Sequence, residues 1–306
     1  MPQTPSKVLF GYGPGPFIPV ARAARLLEEA AQADREGLDL ITVTDHPYNG
    51  VNLEAYGTLG VILGRTTNLT VVATVTNLPV RPAPLLARTV TTLSALSGGR
   101  IVLGVGAGSL WDGIVGFGVD RLTPGQAVRQ LEEGIVLIKA LAGGGTEPVT
   151  FDGEFYRVDA LDPAPVPVPP IWTGSVGPRS LAVTGRHADG WSAPHASDWD
   201  SKLYREARPL IDEAAVAAGR APSDVGDYFN VRGRITAEPL PSTHDENGTF
   251  LGGSPAQWID HLTTGALDHG ASGFVFFDPD DPRSDRTLGR WTQEVVPAVR
   301  EAIAKD

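Results

Sequence analysis

A carboxylate and an imidazole stand side by side at Asp45-His46, directly after the β-branched run Leu38-Asp-Leu-Ile-Thr-Val-Thr44. At a strand end such a pair can orient a cofactor or move a proton. It reads equally well as an aspartate capping the next turn beside a surface histidine. Thr76-Asn77-Leu-Pro-Val-Arg81-Pro82 follows the next strand-like run. It offers an amide for a ring edge and a guanidinium for an anion, although the residues alone favour an Arg81 paired with a nearby carboxylate. Gly104-Val-Gly106-Ala107-Gly108 would let backbone approach a flat ligand closely. Its G-x-G-x-G spacing, the poor helix start at Ser109-Leu-Trp-Asp-Gly113 and the lack of a following strand with an acidic end argue against a dinucleotide site. Gly174-Ser175-Val176-Gly177-Pro-Arg179 runs into a helix, where backbone N–H groups and one arginine make an anion site. An ordinary strand–helix turn is the alternative.

Other chemistries lack their residues. The chain has no cysteine, which excludes disulfides, thiolate catalysis and cysteine-ligated metals. Histidines 46, 187, 195, 244, 261 and 269 form no H-E-x-x-H pair, so no metal site is expected. His187 reads as a surface or satisfied histidine. His261 and His269 are expected on one helix outside the core, without a function. No G-x-S-x-G elbow supports a serine hydrolase.

The elements that must position these residues alternate. Strand-like segments open at Val8, Leu38, Leu69, Ile101, Ile171, Asp189, Tyr228 and Phe274, with helical periodicity between them. Helices are expected over Ala21 to Glu36 with a stop at Gly37, Leu53 to Leu63, Pro84 to Gly98, Gln126 to Leu141, from Arg179, Trp199 to Ala218, from Ser254 and Asp285 to Ala304. The strands are nearly continuous in apolar residues, as strands buried on both faces of a parallel sheet are. Eight β/α units without a composition break predict one α/β domain over 1–306, a (β/α)8 TIM barrel rather than an open doubly wound sheet. Function then belongs at the C-terminal ends of the strands. Two stretches interrupt the rhythm. The segment of about 147–170 reads as an insertion, with a hairpin over Val149 to Val158 and a proline-dense connector. A second long loop covers about 238–253.

At 42% hydrophobic the chain can bury a full core. Its 25 basic and 36 acidic residues give a net charge of −11, against a broad nucleic-acid or anionic-membrane surface. No apolar run has membrane-spanning length and no signal peptide shows, so a cytoplasmic enzyme acting on a small molecule, without nucleic-acid or membrane partners, is expected.

Taken in order and spacing, several pieces resemble the bacterial-luciferase-like superfamily of flavin and deazaflavin oxidoreductases. They are Gly37 to His46, Arg81 to Ala87, Thr92 to Arg100 running into Ile101-Val-Leu-Gly-Val-Gly-Ala-Gly108, Pro169 to Gly174, Gly177-Pro-Arg179, Gly185 to Trp191 and Gly253-Ser-Pro255. The resemblance implies a TIM-type barrel, usually a homodimer. The Leu103-Gly-Val-Gly-Ala-Gly108 ending is similar to members that use coenzyme F420, an 8-hydroxy-5-deazaflavin, rather than FMN. By the same resemblance Asp45 and His46 stand beside the ring, with His46 near the hydride-transfer centre, and both are taken as catalytic. Thr74-Val75 matches a non-prolyl cis peptide that buttresses the ring, and Asn77 a residue contacting it. Gly106, Ala107, Gly108 and Ser109 line ring or side chain, Asp112 meets the tail, and Gly174, Ser175, Val176, Gly177 and Arg179 surround the phosphate.

Family dehydrogenases acting on glucose 6-phosphate carry a Glu where this chain has Ser109, which makes that substrate doubtful. The nearest replacements are Trp111 and Asp112, and His46 or Tyr12 is a further candidate proton carrier. Tyr12, Tyr48, Ser109, Trp111, Trp191, the 238–253 loop and Phe277-Asp278 are expected to form the substrate pocket, and their rings favour an apolar or cyclic substrate. Arg81, Arg179 and Arg186 are the candidate local cations. The implied activity is hydride transfer with a small organic substrate, as a reductase or dehydrogenase. The alternatives are an FMN-dependent monooxygenase using reduced flavin and oxygen, and a non-catalytic flavin-binding protein.

Overall fold

A computed structural model describes residues 7–192, 198–246, 248–277 and 284–305. Thirteen short strands are present among them: β1 (Leu9–Gly13), β2 (Leu40–Val43), β3 (Thr70–Ala73), β4 (Thr76–Asn77), β5 (Ile101–Gly106), β6 (Val149–Asp152), β7 (Arg157–Leu161), β8 (Ile171–Thr173), β9 (Gly190–Trp191), β10 (Gly226–Val231), β11 (Arg234–Ile235), β12 (Gly252–Gly253) and β13 (Gly273–Phe277). Parallel pairing runs β3-β2-β1-β13-β10-β9-β8-β5, and β5 pairs back onto β3 to close the ring. β4 continues the line of β3 beyond a break and pairs with β5. The helices are α1 (Ala23–Arg35), α2 (Ala55–Arg65), α3 (Ala83–Ser97), α4 (Trp111–Gly116), α5 (Pro124–Ala142), α6 (Pro178–His187), α7 (Lys202–Ala217), α8 (Pro255–Leu267), α9 (Ser284–Arg290) and α10 (Val296–Ile303). This is the (β/α)8 barrel that the alternation predicts.

The period-two geometry of the strands sorts their side chains into two layers. Leu40, Val72, Val102, Trp172 and Val275, with Leu9 and Tyr228 against them, form one compact cluster across the ring. The Trp172 and Tyr228 rings stack at 3.5 Å between centroids. Residues one step along each strand, among them Phe10, Tyr12, Ile41, Val71, Phe274 and Phe276, pack outward with Leu26, Leu59, Trp258 and Trp291 of the helices. Gly37 (φ 81°) and Gly98 (φ 68°) take the left-handed conformation that ends α1 and α3 where the sequence places the stops.

Four local differences from the sequence reading have identifiable causes. The hairpin pairs Phe151 with Val158 and Asp152 with Arg157, so its turn is Gly153 to Tyr156 and its second strand runs to Leu161. The Glu133 carboxylate accepts the N–H groups of Glu154, Phe155 and Tyr156 and fixes that longer turn. The strand expected through Ile235 breaks at Gly233 (φ 144°), where a Cβ would lie 2.6 Å from the Gly252 nitrogen. α4 starts at Trp111 without a side-chain cap, which is why it was invisible as a helix start. α8 ends at Leu267, so His269 lies beyond it. His195 and Asp278 lie outside the described residues.

His261 is stacked on Phe250 at 3.9 Å and lies 4.6 Å from Trp199, and burial, with a smaller push from His244, lowers its pKa to about 3. Burial also lowers His46 and His187, against opposing pulls from Asp45 and Glu132. His187 is satisfied by Glu132, 3.0 Å from its Nε2. Groups held below their ordinary pKa bind fewer protons folded than unfolded. The stability they contribute is therefore complete above the ordinary histidine range, ~6.5, and is lost as pH falls through it. The urea midpoint is expected to drop between about pH 7.5 and about pH 5.5, still above the ordinary carboxylate range; an unchanged midpoint would contradict the burial of these imidazoles.

Candidate active site

The Asp45 side chain is fully buried at the end of β2, and both its oxygens are engaged. Oδ2 accepts the backbone N–H of Asn77 at 3.0 Å and Nε of Arg81 at 2.8 Å, while Oδ1 accepts Nη2 of Arg81 at 2.7 Å. Arg81 also reaches Glu54, and its guanidinium lies 4.7 Å from the Tyr56 ring centroid. Tyr56 in turn meets Thr76 Oγ1 at 2.7 Å through its hydroxyl. This geometry makes Asp45 an anchor, tying the strand end of Asn77 to the turn of Arg81, rather than a free carboxylate. The pairing reading of Arg81 holds.

His46 is half-buried. Its ring lies 5.4 Å from that of Phe17, and its Nδ1 is 2.8 Å from the Tyr48 hydroxyl. Asn77 Nδ2 donates to the same hydroxyl at 3.4 Å. Burial is the larger influence on His46 and favours the neutral imidazole, with Asp45 partly opposing it. Burial likewise raises the Tyr48 phenol. Among the described residues Nε2 of His46 has no hydrogen-bond partner.

The break between β3 and β4 is the peptide bond Thr74-Val75, which is cis as the resemblance implied. The Val75 side chain fills space that three glycines leave: Cβ atoms at Gly106 and Gly174 would lie 2.7 and 3.0 Å from its Cγ2. At Gly104 a Cβ would lie 1.9 Å from the Ala73 carbonyl oxygen. Gly104 and Gly106, expected from the sequence to let a ligand approach closely, also make room for the chain itself. Gly108 (φ 87°) is the turn glycine, packed on Ile114 and Pro79.

On the far side of β5 the β8 end carries Gly174, buried Ser175, exposed Val176 and Gly177 into α6. The first turn of a helix leaves N–H groups without intrahelical acceptors. Arg179, exposed in that turn, has no salt bridge or hydrogen bond among the described residues. Of the three candidate cations it alone is unpaired, since Arg186 is held by Glu132 and Arg81 by Asp45 and Glu54. Asp112 is exposed and paired with Arg121.

Two residues expected in the substrate pocket face elsewhere. Tyr12 shares its side of β1 with Phe10 and is fully buried in the barrel–helix layer, because Gly11 and Gly13 take the inward positions. Trp191 packs outward with Leu181, Ala207, Ile211 and Val225, and its indole N–H donates to the Ser175 carbonyl at 2.8 Å. It braces the β8 turn instead of lining a pocket. Tyr48 and Trp111 are half-buried and Ser109 is exposed at the strand ends. Phe277 closes β13, with Arg232 over its ring at 5.0 Å. Sequence reasoning missed Glu54, Tyr56 and Thr76. Glu54 had a local signal only as the cap of α2, where it accepts the N–H groups of Tyr56 and Gly57.

A ring-and-chain cofactor fits these residues on one observation. Thr74 Oγ1, Asn77 Oδ1 and Ser175 Oγ, all at strand ends, are buried polar atoms without a hydrogen-bond partner among the described residues. Buried polar groups are normally paired, and a polar heteroaromatic ring with an anionic tail supplies partners for such atoms.

A family model described as luciferase-like monooxygenase matches residues 5–232. The chain is 31% identical over 321 residues to an F420-dependent hydroxymycolic acid dehydrogenase of Mycobacterium tuberculosis, covering 91% of this chain and 85% of that protein. It is 30% identical over 212 residues to a 5,10-methylenetetrahydromethanopterin reductase of Methanolobus tindarius, covering 68% of this chain and 61% of the relative. Among solved structures, an F420-dependent secondary alcohol dehydrogenase in complex with an F420-acetone adduct superposes with a TM-score of 0.80 at 19% identity, over 96% of this chain and 99% of that one.

Proposed function

This chain belongs to the luciferase-like monooxygenase family, and within it we propose a coenzyme F420-dependent oxidoreductase that reduces or dehydrogenates a small organic substrate. The observation that carries this reading is the cofactor named for a relative that matches along nine-tenths of the chain. When bound, the deazaflavin supplies a two-electron hydride chemistry that the protein's own side chains cannot. The protein supplies position. Val75, Asn77 and Gly106 to Gly108 would hold the ring. The β8 turn with Ser175, Val176, Gly177 and Arg179 would hold the phosphate, and Asp112, opposite Arg121, would border the tail. His46 would stand at the substrate atom that gains or loses charge, and Asp45 would act through Asn77 and Arg81.

The test is a fluorescence titration of the protein with coenzyme F420 beside one with FMN. Tighter binding of the deazaflavin is expected. Preference for FMN would overturn the assignment in favour of an oxygen-dependent monooxygenase, and tight binding without turnover on any substrate panel would favour a binding protein. In the same titration Arg179→Ala is expected to weaken F420 by about 10- to 100-fold, the value of one charge-assisted hydrogen bond to phosphate; an unchanged Kd would remove Arg179 from the site.

The reading includes a single domain over 1–306 with its insertion at about 147–170, a homodimer checked by sedimentation, and a cytoplasmic location. No helix among the described residues is long and apolar enough to cross a membrane.

A further inference from the structure

The side-chain amide nitrogen of Asn77, which can only donate, is directed at the Tyr48 oxygen, and that oxygen lies 2.8 Å from Nδ1 of His46. The phenol oxygen therefore already accepts one proton. Its own proton has one acceptor in reach among the described residues, the lone pair of Nδ1. A histidine protonated on Nδ1 would itself donate to the phenol oxygen and turn the phenol proton away, where it has no protein partner among the described residues.

The chain is held at both ends. Asn77 is fixed through its backbone N–H on Asp45 Oδ2, and the Tyr48 ring is seated against Gly113, where a Cβ would lie 2.5 Å from a ring carbon. We propose that Tyr48 is a positioning residue that holds His46 as its Nε2–H tautomer, so that the nitrogen without a protein partner presents a hydrogen-bond donor to the substrate. This rests on the reading that His46 faces the reacting substrate. Such a donor fits a substrate whose reacting carbon carries an acceptor atom, as the oxygen of an aldehyde or ketone does. A neutral imidazole donor polarises such a carbonyl. Asp45 and Tyr48 are the titratable groups that face His46, with Arg81 and Glu54 beyond Asp45 and the uncharged Phe17 ring over the imidazole.

The experiment is nitrogen-15 NMR of the cofactor-free protein labelled in histidine, near neutral pH, with His46 assigned through its backbone. The expected wild-type pattern is a bare Nδ1 and a protonated Nε2. In Tyr48→Phe the preference for that tautomer is expected to weaken by about five- to tenfold, roughly what one neutral hydrogen bond supplies. An Nδ1–H histidine in the wild type, or the same tautomer ratio in Tyr48→Phe, overturns the proposal. Should Tyr48→Phe not fold, the wild-type tautomer alone decides. The measurement needs no cofactor, so a protein that fails to bind F420 would defeat the functional reading and leave the tautomer result standing.

Discussion

His46→Ala is expected to lower kcat by about 10²- to 10⁴-fold, the range that a positioned side chain acting on a reacting group supplies, while the Kd for F420 changes by no more than about threefold. The split follows from where the side chain makes its contacts. Its protein bond is through Nδ1 to Tyr48, and Nε2 has no hydrogen-bond partner among the described residues. The groups assigned to hold the cofactor, the β8 turn and Arg179 with Asn77 and Gly106 to Gly108, do not pass through the imidazole. On the proposed reading, removing it would delete a contact to the reacting centre without unseating ring or phosphate. The packing loss is modest, because the ring is half-buried with the exposed Phe17 ring on one side. Turnover within threefold of wild type would remove His46 from the chemistry. An equal loss in Kd and kcat would make it a binding residue.

What the sequence made legible was periodic or terminal. The strand run from Leu69, which the structure divides into β3 and β4 at Thr74-Val75, and the helix stops at Gly37 and Gly98 are local signals, and the ring of eight follows from their alternation. The strand-end positions of Asp45-His46, Asn77 and the β8 turn follow from that alone. Side-chain direction and long-range pairing were not legible. Tyr12 looks like a pocket residue until the strand period puts it with Phe10 and gives the interior to Gly11 and Gly13. Trp191 sits in a strand of only two residues, too short to show which face it takes. Nothing in the sequence says that the side chain of Val75, 29 residues earlier than Gly104, fills the space beside Gly104 and Gly106. The partners of Arg81 lie 36 and 27 residues away. A carboxylate at that distance is one of many until the fold selects it.

Arg81→Ala is expected to cost about 3–5 kcal/mol of folding stability, the range for breaking a buried ion pair from one side. The Asp45 side chain has no exposed surface, and two of its three hydrogen bonds come from Arg81. Without the guanidinium the carboxylate keeps one backbone N–H and no counter-charge, and an isolated charge in that position must be neutralised or hydrated at the expense of packing. Burial acts against the charge on Arg81 too, but Asp45 and Glu54 outweigh it and drive its pKa up, so the charge is retained. Arg81→Lys is expected to fall between, since an ammonium cannot reproduce the two-pronged contact. Asp45→Asn should be milder than Arg81→Ala, because the amide oxygen can still accept from Asn77. Combining the two should recover part of the loss, since the stranded charge is then gone. Urea unfolding with linear extrapolation measures all four. A loss below about 1 kcal/mol in Arg81→Ala would mean the pair behaves as a surface bridge. The same variants separate scaffold from chemistry. Asp45 holds the Asn77 backbone, and Asn77 holds Tyr48 against His46. Loosening Arg81 is therefore expected to blur the His46 tautomer as well as lower stability, whereas His46→Ala leaves Asp45, Asn77 and Arg81 as they are.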